Sequence, residues 1–130
     1  MSQVTGPLTI NDGSATPVAK SFAPERVGSE LSIFSERTPA VSAGFTRLSV
    51  GLSAANAKRP TNRVEVELSL PVLSTVNGVS TVAYTGRFKG YFVIPDQMTA
   101  GERANLHAFV ANGLANNQIR AIVKDLDPLY

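Results

Sequence analysis

The chain has 130 residues, 43% of them hydrophobic, a formal net charge of +2 and no cysteine. This length fits one domain (1–130), the lack of cysteine excludes disulfides and thiolate chemistry, and no apolar run approaches the ~18 residues of a membrane helix. The opening Met1–Val4 also lacks the basic and apolar regions of a signal peptide, so we expect a soluble, unsecreted protein without membrane partners.

The first third of the chain predicts short strands. Apolar Leu8 and Ile10 precede turn residues at 11–13, and a second strand from 18 to 22 is expected to end at Pro24, which completes a hairpin. Another brief strand is predicted around 30–34.

Three later segments alternate apolar and polar residues, the pattern of a strand with one buried face. The clearest is Arg63–Leu70, and the others are Phe45–Ser53 and Arg87–Ile94, with loops predicted at 36–44 and 54–62. The polar positions of these strands carry Arg47, Ser49, Ser53, Arg63, Glu65, Glu67, Arg87, Lys89 and Tyr91.

Charge is distributed unevenly along the chain. The stretch from Phe45 to Tyr91 holds six basic and two acidic residues, a net of +4, whereas the rest holds six basic and eight acidic residues, a net of −2. A basic middle suits a surface that faces a polyanion, but scattered solvating charge explains it equally well on this evidence alone.

Asn77-Gly78 is the strongest short hairpin signal in the chain. A two-residue turn there would set apolar Val66 opposite Lys89, so the register must change by one residue, and Pro71 is a plausible place for the break. Residues 71–82 are therefore expected to project as a long loop or a flexible mini-hairpin.

The register change has an electrostatic consequence. A shift of one residue in either direction sets Glu67 opposite Arg87 or Lys89. The two glutamates of this strand, Glu65 and Glu67, are therefore expected to neutralise part of the basic face.

Two helices are predicted at the C-terminal end. Thr99 and Glu102 form a possible capping box for a helix that ends near Gly113, and Asn116 or Asn117 could cap a second, shorter helix. Strands first and helices last favour an α+β fold with an antiparallel sheet and helices against one face. The apolar stripes comprise Ala104, Leu106, Phe109, Val110 and Leu114 in the first helix and Ile119, Ile122, Val123 and Leu126 in the second.

The sequence offers little support for an enzyme. His107, the sole histidine, lies between apolar positions of the first helix, where a packed or surface histidine is usual. Glu65 and Glu67 could imitate a catalytic carboxylate pair, but the neighbouring cations favour structural ion pairing. Without a nucleophile-base pair, a metal-ligand cluster or a phosphate-binding glycine loop, we expect no catalysis, no cofactor and no metal.

Over nearly its whole length the chain resembles the coat proteins of single-stranded RNA bacteriophages, the levivirus-like family. The resemblance rests on the order and spacing of "LTINDGSATPVAKSFAP", "FTRLSVGLS", "NRVEVELSLPV", "STVNGVSTV", "YFVIP" and two helices closing on Tyr130. It implies an N-terminal β-hairpin, a five-stranded antiparallel sheet and two C-terminal α-helices in an intertwined homodimer with a ten-stranded sheet. It also implies an icosahedral virion shell of the T=3 kind, made in the bacterial host cytoplasm, which packages single-stranded RNA and can repress translation through an RNA hairpin.

The same resemblance assigns roles to residues, with Glu65 and Glu67 on the RNA-facing side and Arg47 where a small hydroxyl residue is expected. RNA contacts are expected from Arg47, Ser49, Ser53, Arg63, Arg87, Lys89 and Tyr91. The dimer interface is expected to contain Leu106, Phe109, Val110, Ile119, Ile122 and Val123. Contacts between dimers are expected from Ser74, Thr75, Val76, Asn77, Gly78, Val79 and Ser80. A small dimeric RNA-binding regulator that builds no shell is the alternative, and the projecting segment favours the shell.

Overall fold

The computed structural model describes residues 3–129, and the chain divides into two compact units, Met1–Val93 and Ile94–Tyr130. Folding of the whole chain as one domain stays a prediction. The strands are β1 (Leu8–Asn11), β2 (Ala19–Arg26), β3 (Leu31–Glu36), β4 (Thr46–Ser53), β5 (Thr61–Val76) and β6 (Val79–Pro95). The helices are α1 (Ala100–Ala115) and α2 (Asn117–Asp125), and a short 3₁₀ turn spans Ser42–Gly44.

The strands form a single antiparallel sheet in chain order, from β1 at one edge to β6 at the other. A sheet followed by two helices confirms the predicted α+β fold. The sheet has six strands, the two of the N-terminal hairpin and the four that follow, whereas the resemblance implied a hairpin and a five-stranded sheet.

Alternation along the central strands separates two faces of the sheet. In the β4–β5 ladder Ser49 lies opposite Glu67, and Leu48 lies opposite Leu68. Since successive side chains of a strand point to opposite sides, polar and apolar residues occupy different faces, as predicted. We call one side the polar face; it carries Arg47, Ser49, Gly51 and Ser53 of β4 and Arg63, Glu65, Glu67 and Ser69 of β5.

The second strand does not end at Pro24. Pro24 pairs with Phe34, and β2 continues to Arg26 after a register shift between Pro24 and Arg26. A local irregularity of this kind lets a strand continue past a residue that has no N–H to donate. Phe34 and Phe22, each only 6% exposed, are the buried hydrophobic residues of this part of the sheet.

Residues 71–82 are a regular hairpin, so the prediction of a long loop was wrong and the mini-hairpin alternative is correct. Both strands extend up to the two-residue turn, where φ is 51° at Asn77 and 78° at Gly78. Positive φ at both central residues is what a type I′ turn requires, and this turn matches the twist of the flanking strands. The pairing of β5 with β6 therefore continues to the tip.

The predicted change of register between β5 and β6 is confirmed. Beside the turn, the hydroxyl oxygens of Thr75 and Ser80 lie 3.2 Å apart. If the antiparallel pairing continued without interruption from Thr75 and Ser80, Glu65 would lie opposite Gly90. The carboxylate of Glu65 instead lies 3.3 Å from Nζ of Lys89, one residue out of step. One strand therefore contains an extra residue between the tip and this ion pair.

The helices begin where the sequence predicts. The backbone N–H of Thr99 donates to Oε1 of Glu102 at 3.0 Å and the N–H of Glu102 donates to Oγ1 of Thr99 at 3.3 Å, which completes the capping box. The hydrogen bond from the backbone N–H of Thr99, with a smaller effect of the Thr99 side chain, lowers the pKa of Glu102. Oδ1 of Asn116 accepts from the N–H of Gln118 and caps α2, so α1 ends at Ala115, two residues beyond the predicted Gly113.

Neither helix buries a residue within the chain. Phe109 is 76% exposed and Val123 is 73% exposed, although both belong to the predicted apolar stripes. No helix within residues 3–129 is long and apolar enough to cross a membrane.

Candidate nucleic-acid interface

The polar face contains two shallow depressions that bring most of the predicted RNA-contacting residues together. Ser49, Ser53 and Arg63 line the first, with Glu65 and Glu67 beside them. The second has Arg47 and Arg87 in its lining, again with Ser49 and Glu67. Lys89 and Tyr91 join the same face through their contacts with Glu65 and Arg63. All seven predicted residues therefore share one surface.

Arg47 is held in place by two neighbours. Its Nε donates to Oε2 of Glu25 at 3.1 Å, and its guanidinium carbon lies 5.6 Å from the ring centroid of Phe45. The two charged side chains are about one-third exposed, at 33% for Arg47 and 38% for Glu25. Within residues 3–129 no hydrogen bond is found from either Nη atom of Arg47, so its terminal donors remain available.

Lys89 lies between an acidic and an aromatic side chain. Its Nζ is 3.3 Å from Oε1 of Glu65 and 5.9 Å from the ring centroid of Tyr91. The hydrogen bond to Glu65, with a smaller effect of Tyr91, raises the pKa of Lys89 above its usual value. Lys89 is therefore fully charged at neutral pH.

Arg63 and Tyr91 form a cation-π contact across β5 and β6. The guanidinium carbon of Arg63 lies 5.2 Å from the ring centroid of Tyr91, and half of the tyrosine remains exposed. Planar side chains that lie open on a sheet can stack with unpaired bases. The antiparallel register that sets Glu65 opposite Lys89 also sets Arg63 opposite Tyr91.

Two residues of this surface were not among the predicted sites. Nη2 of Arg59 donates to Oγ of Ser53 at 2.6 Å and to the carbonyl oxygen of Ala54 at 3.2 Å. The hydroxyl of Ser53, a predicted RNA contact, therefore already accepts a hydrogen bond from Arg59. Glu25 lies 22 residues before its partner Arg47. No sequence signal indicated either contact, because both depend on how distant segments of the chain meet.

Arg59 and Glu25 add one charge of each sign to the set expected for the face. The set now has three carboxylates and five cations, so its net charge stays at +2 per chain. The carboxylates are those of Glu25, Glu65 and Glu67, and the cations are Arg47, Arg59, Arg63, Arg87 and Lys89. Among the residues that the structure describes, no ion pair is found for Arg63 or Arg87. These two arginines are the cations most available to phosphate.

The other predicted sites lie elsewhere. The residues expected between dimers form the tip of the β5–β6 hairpin. Of those expected at the dimer interface, Leu106, Ile119 and Ile122 are partly buried. The part of the chain that the structure describes contains no group of three or more histidine, aspartate or glutamate residues that could hold a metal.

Comparisons with known proteins point in one direction. The family model described as Levivirus coat protein matches residues 3–130. The virus-like particle of bacteriophage ESE058 is 26% identical, with a TM-score of 0.83 over 98% of this chain and 100% of that chain. The virus-like particle of Beihai levi-like virus 21 is 20% identical in sequence, with a TM-score of 0.88 over 98% of this chain and 99% of that chain. The bacteriophage GA protein capsid is 15% identical, with a TM-score of 0.78 over 96% and 97%. No curated protein matches the chain.

Proposed function

The chain belongs to the levivirus coat protein family and is a structural protein of the virion capsid, and from this premise we propose that it binds and packages single-stranded RNA on its polar face. Self-association follows from membership of a family that builds capsids.

One observation carries the RNA proposal: four cations and an open tyrosine lie together on one face of adjacent strands. Arginine and lysine side chains bind phosphate, and these contacts position the nucleic acid without reading its sequence. Tyr91 and the guanidinium of Arg63 offer flat surfaces for unpaired bases. The hydroxyl of Ser49 is a further partner for sugar or base atoms.

The exposed apolar residues support a homodimer as the building block. Phe109, Leu114 and Val123 lie on the helices and are more than half exposed in the single chain. β6 is also an edge strand of 17 residues, and a long free edge pairs readily with another strand. A second copy that pairs along β6 and covers the helices would satisfy both features.

Dimers would then assemble into an icosahedral shell with the polar face inside. The hairpin tip, Ser74–Ser80, extends from the sheet and would contact neighbouring dimers. The alternative, an RNA-binding regulator without a shell, would use the same face for RNA but would make no contacts between dimers through this tip.

Expression of the full chain, followed by negative-stain microscopy and extraction of RNA after nuclease treatment, tests the proposal. We expect closed particles that contain nuclease-protected RNA. Dimers that bind RNA but form no particles would favour the regulator. Particles that contain no RNA, formed by protein that shows no salt-sensitive binding of added RNA, would contradict the assignment of RNA to the polar face.

A further inference from the structure

The sequence contains the dipeptide Asn-Gly twice, in two different backbone settings. Asn77-Gly78 forms the two-residue turn at the tip of the β5–β6 hairpin, and Asn112-Gly113 lies inside α1. All four residues are exposed, so exposure does not distinguish the two copies. The two glycines differ instead in the hydrogen bonding of their backbone N–H groups.

The N–H of Gly78 lies outside the strand ladder. In a two-residue hairpin turn the flanking residues, here Val76 and Val79, exchange the ladder hydrogen bonds, and the second central residue donates to neither strand. A Cβ atom built on Gly78 would meet nothing within 4 Å, so the space beside its backbone is open. Gly113, by contrast, belongs to a helix, where each N–H donates to the carbonyl oxygen four residues earlier.

We propose that Asn77 is a deamidation site and that its modification prevents unassembled dimers from joining the shell. The backbone nitrogen of Gly78 attacks the side-chain carbonyl carbon of Asn77, a C–N bond forms, and the amide nitrogen leaves as ammonia with the proton of the Gly78 N–H. The product is a five-membered cyclic imide. One water molecule then opens the imide, either at the side-chain carbonyl to give aspartate or at the backbone carbonyl to give isoaspartate.

The turn favours this reaction and the helix opposes it. Gly78 has no side chain to obstruct the attack, and no ladder hydrogen bond to its nitrogen has to break first. A hairpin tip also opens at a lower free energy than the interior of a helix, so the backbone of Asn77 rotates more readily into the reactive geometry. The same attack at Asn112 requires that α1 unwinds locally.

The tip is uncharged, so the new carboxylate has no counter-charge nearby in the hairpin sequence. No aspartate, glutamate, lysine, arginine or histidine lies between Glu67 and Arg87. The turn is flanked by Val76 and Val79, which are 60% and 61% exposed. An apolar, uncharged tip suits burial against another dimer, whereas a carboxylate buried there without a partner opposes the contact. This effect on assembly rests on the proposed function, because it requires that the tip contacts neighbouring dimers.

Isoaspartate has a second effect, on the turn itself. The chain then runs through the side-chain carbonyl carbon, which lengthens the backbone by one methylene group. The turn consists of two residues with φ angles of 51° and 78°, a geometry that depends on normal backbone spacing. The isoaspartate product therefore changes the shape of the tip as well as its charge.

Peptide mapping during storage tests the modification. The full-length dimer is kept below its assembly concentration at mildly alkaline pH, where the nitrogen of Gly78 loses its proton more readily, and samples are digested with trypsin. Cleavage after arginine places the two sites in separate peptides, 64–87 and 104–120. We expect mass spectrometry to show deamidation of Asn77 at least about fivefold faster than that of Asn112, the rate effect of breaking one hydrogen bond. Equal rates at the two sites would overturn the proposal.

Three variants test the consequence for assembly. Asn77→Gly removes the amide and keeps a dipeptide that favours the type I′ turn, so it should assemble like the wild type and retain this ability during storage. Asn112→Gln is the matched control, because it removes the helical copy and should lose assembly at the wild-type rate. Asn77→Asp adds the charge and keeps a favourable turn dipeptide, so freshly purified protein should already assemble less than the wild type.

Light scattering after concentration of the dimer measures assembly. We expect the assembled fraction of the wild type to fall in step with the deamidation of Asn77. Stored wild type that assembles fully despite deamidation, or Asn77→Asp that assembles like the wild type, would overturn the inference and leave the proposed function intact. Fresh wild type that forms no particles would instead overturn the proposed function, and with it the effect on assembly, while the peptide maps still test the modification.

Discussion

The carboxylate of Glu65 on β5 lies 3.3 Å from the ammonium group of Lys89 on β6. These residues meet only because the strands shift by one residue between the Asn77-Gly78 turn and the body of the sheet. Without the shift, Lys89 would lie on the apolar face and Val66 opposite it. The shift therefore places the cations of β6 on the same face as those of β4 and β5.

Glu65→Gln should strengthen binding to single-stranded RNA. The change frees Lys89 for phosphate and removes a repelling charge, so the slope of log affinity against log salt should steepen by roughly 0.7 per chain, or about 1.4 per dimer. Filter binding of assembly-incompetent dimers over a salt series measures this slope. Asp127→Asn, which removes a carboxylate from the other compact unit, is the control and should have a smaller effect.

Glu65→Gln should also lower the pKa of Lys89 toward its ordinary value. Because Glu65 raises the pKa of Lys89 in the folded protein, the ion pair contributes to stability below the unfolded-state pKa and loses that contribution as the pH rises through the folded-state pKa. The pair is therefore fully formed at neutral pH and weakens only above about pH 10.5, the ordinary lysine value. An NMR titration of the lysine ammonium groups in both proteins measures the difference.

Arg87→Ala and Lys89→Ala should each weaken RNA binding without dissociating the dimer. Arg87→Ala removes two cations per dimer, so the salt slope should flatten by roughly one to one and a half units. Lys89→Ala should flatten the slope less, because Glu65 pairs with Lys89 in the wild type. The measurement is filter binding to short RNA hairpins, with size-exclusion chromatography to confirm the dimer. Unchanged slopes in both variants would mean that RNA binds a different face.

Phe109→Asp should abolish both soluble dimer and particles. The residue is 76% exposed in the single chain, and in a dimer that covers the helices its replacement would bury an unpaired charge. Size-exclusion chromatography and microscopy give the result. Asn112→Asp introduces the same charge at an exposed polar position of α1 and should leave the dimer intact. A well-folded monomer of Phe109→Asp would argue against an obligate dimer.

A shortened hairpin should alter the particles and spare the dimer. Deletion of Ser74-Thr75 together with Ser80-Thr81 removes two residues from each strand, which preserves the Asn77-Gly78 turn and the side of the sheet that each remaining residue faces. Electron microscopy then compares the size and closure of particles at equal dimer concentration. Particles identical to those of the wild type would show that the tip has no role in assembly.

Local patterns determined much of this fold. Period-two alternation predicted the two faces of β4 and β5, Thr99 with Glu102 predicted the start of α1, and Asn77-Gly78 predicted a tight turn. These features are encoded by neighbouring residues, because strand alternation, helix caps and turn dihedral angles involve only a few positions at a time. Even the one-residue shift followed from the sequence, since only a shift could reconcile the turn with the faces.

The sequence predicted that Glu65 and Glu67 neutralise part of the polar face, but only the tertiary structure decided which charges are paired, since Glu65 pairs with Lys89 and Glu25 pairs with Arg47. Arg47 was predicted to face RNA, but its contact with Glu25 depends on an irregularity in β2 and on a partner two strands away. Arg59 reaches Ser53 only through the fold of a loop. Composition and periodicity do not specify such contacts, because they arise from the register of long-range ladders and the path of side chains between them. Local alternation thus determines which residues share the polar face, whereas the packing of distant segments determines which of their charges are paired.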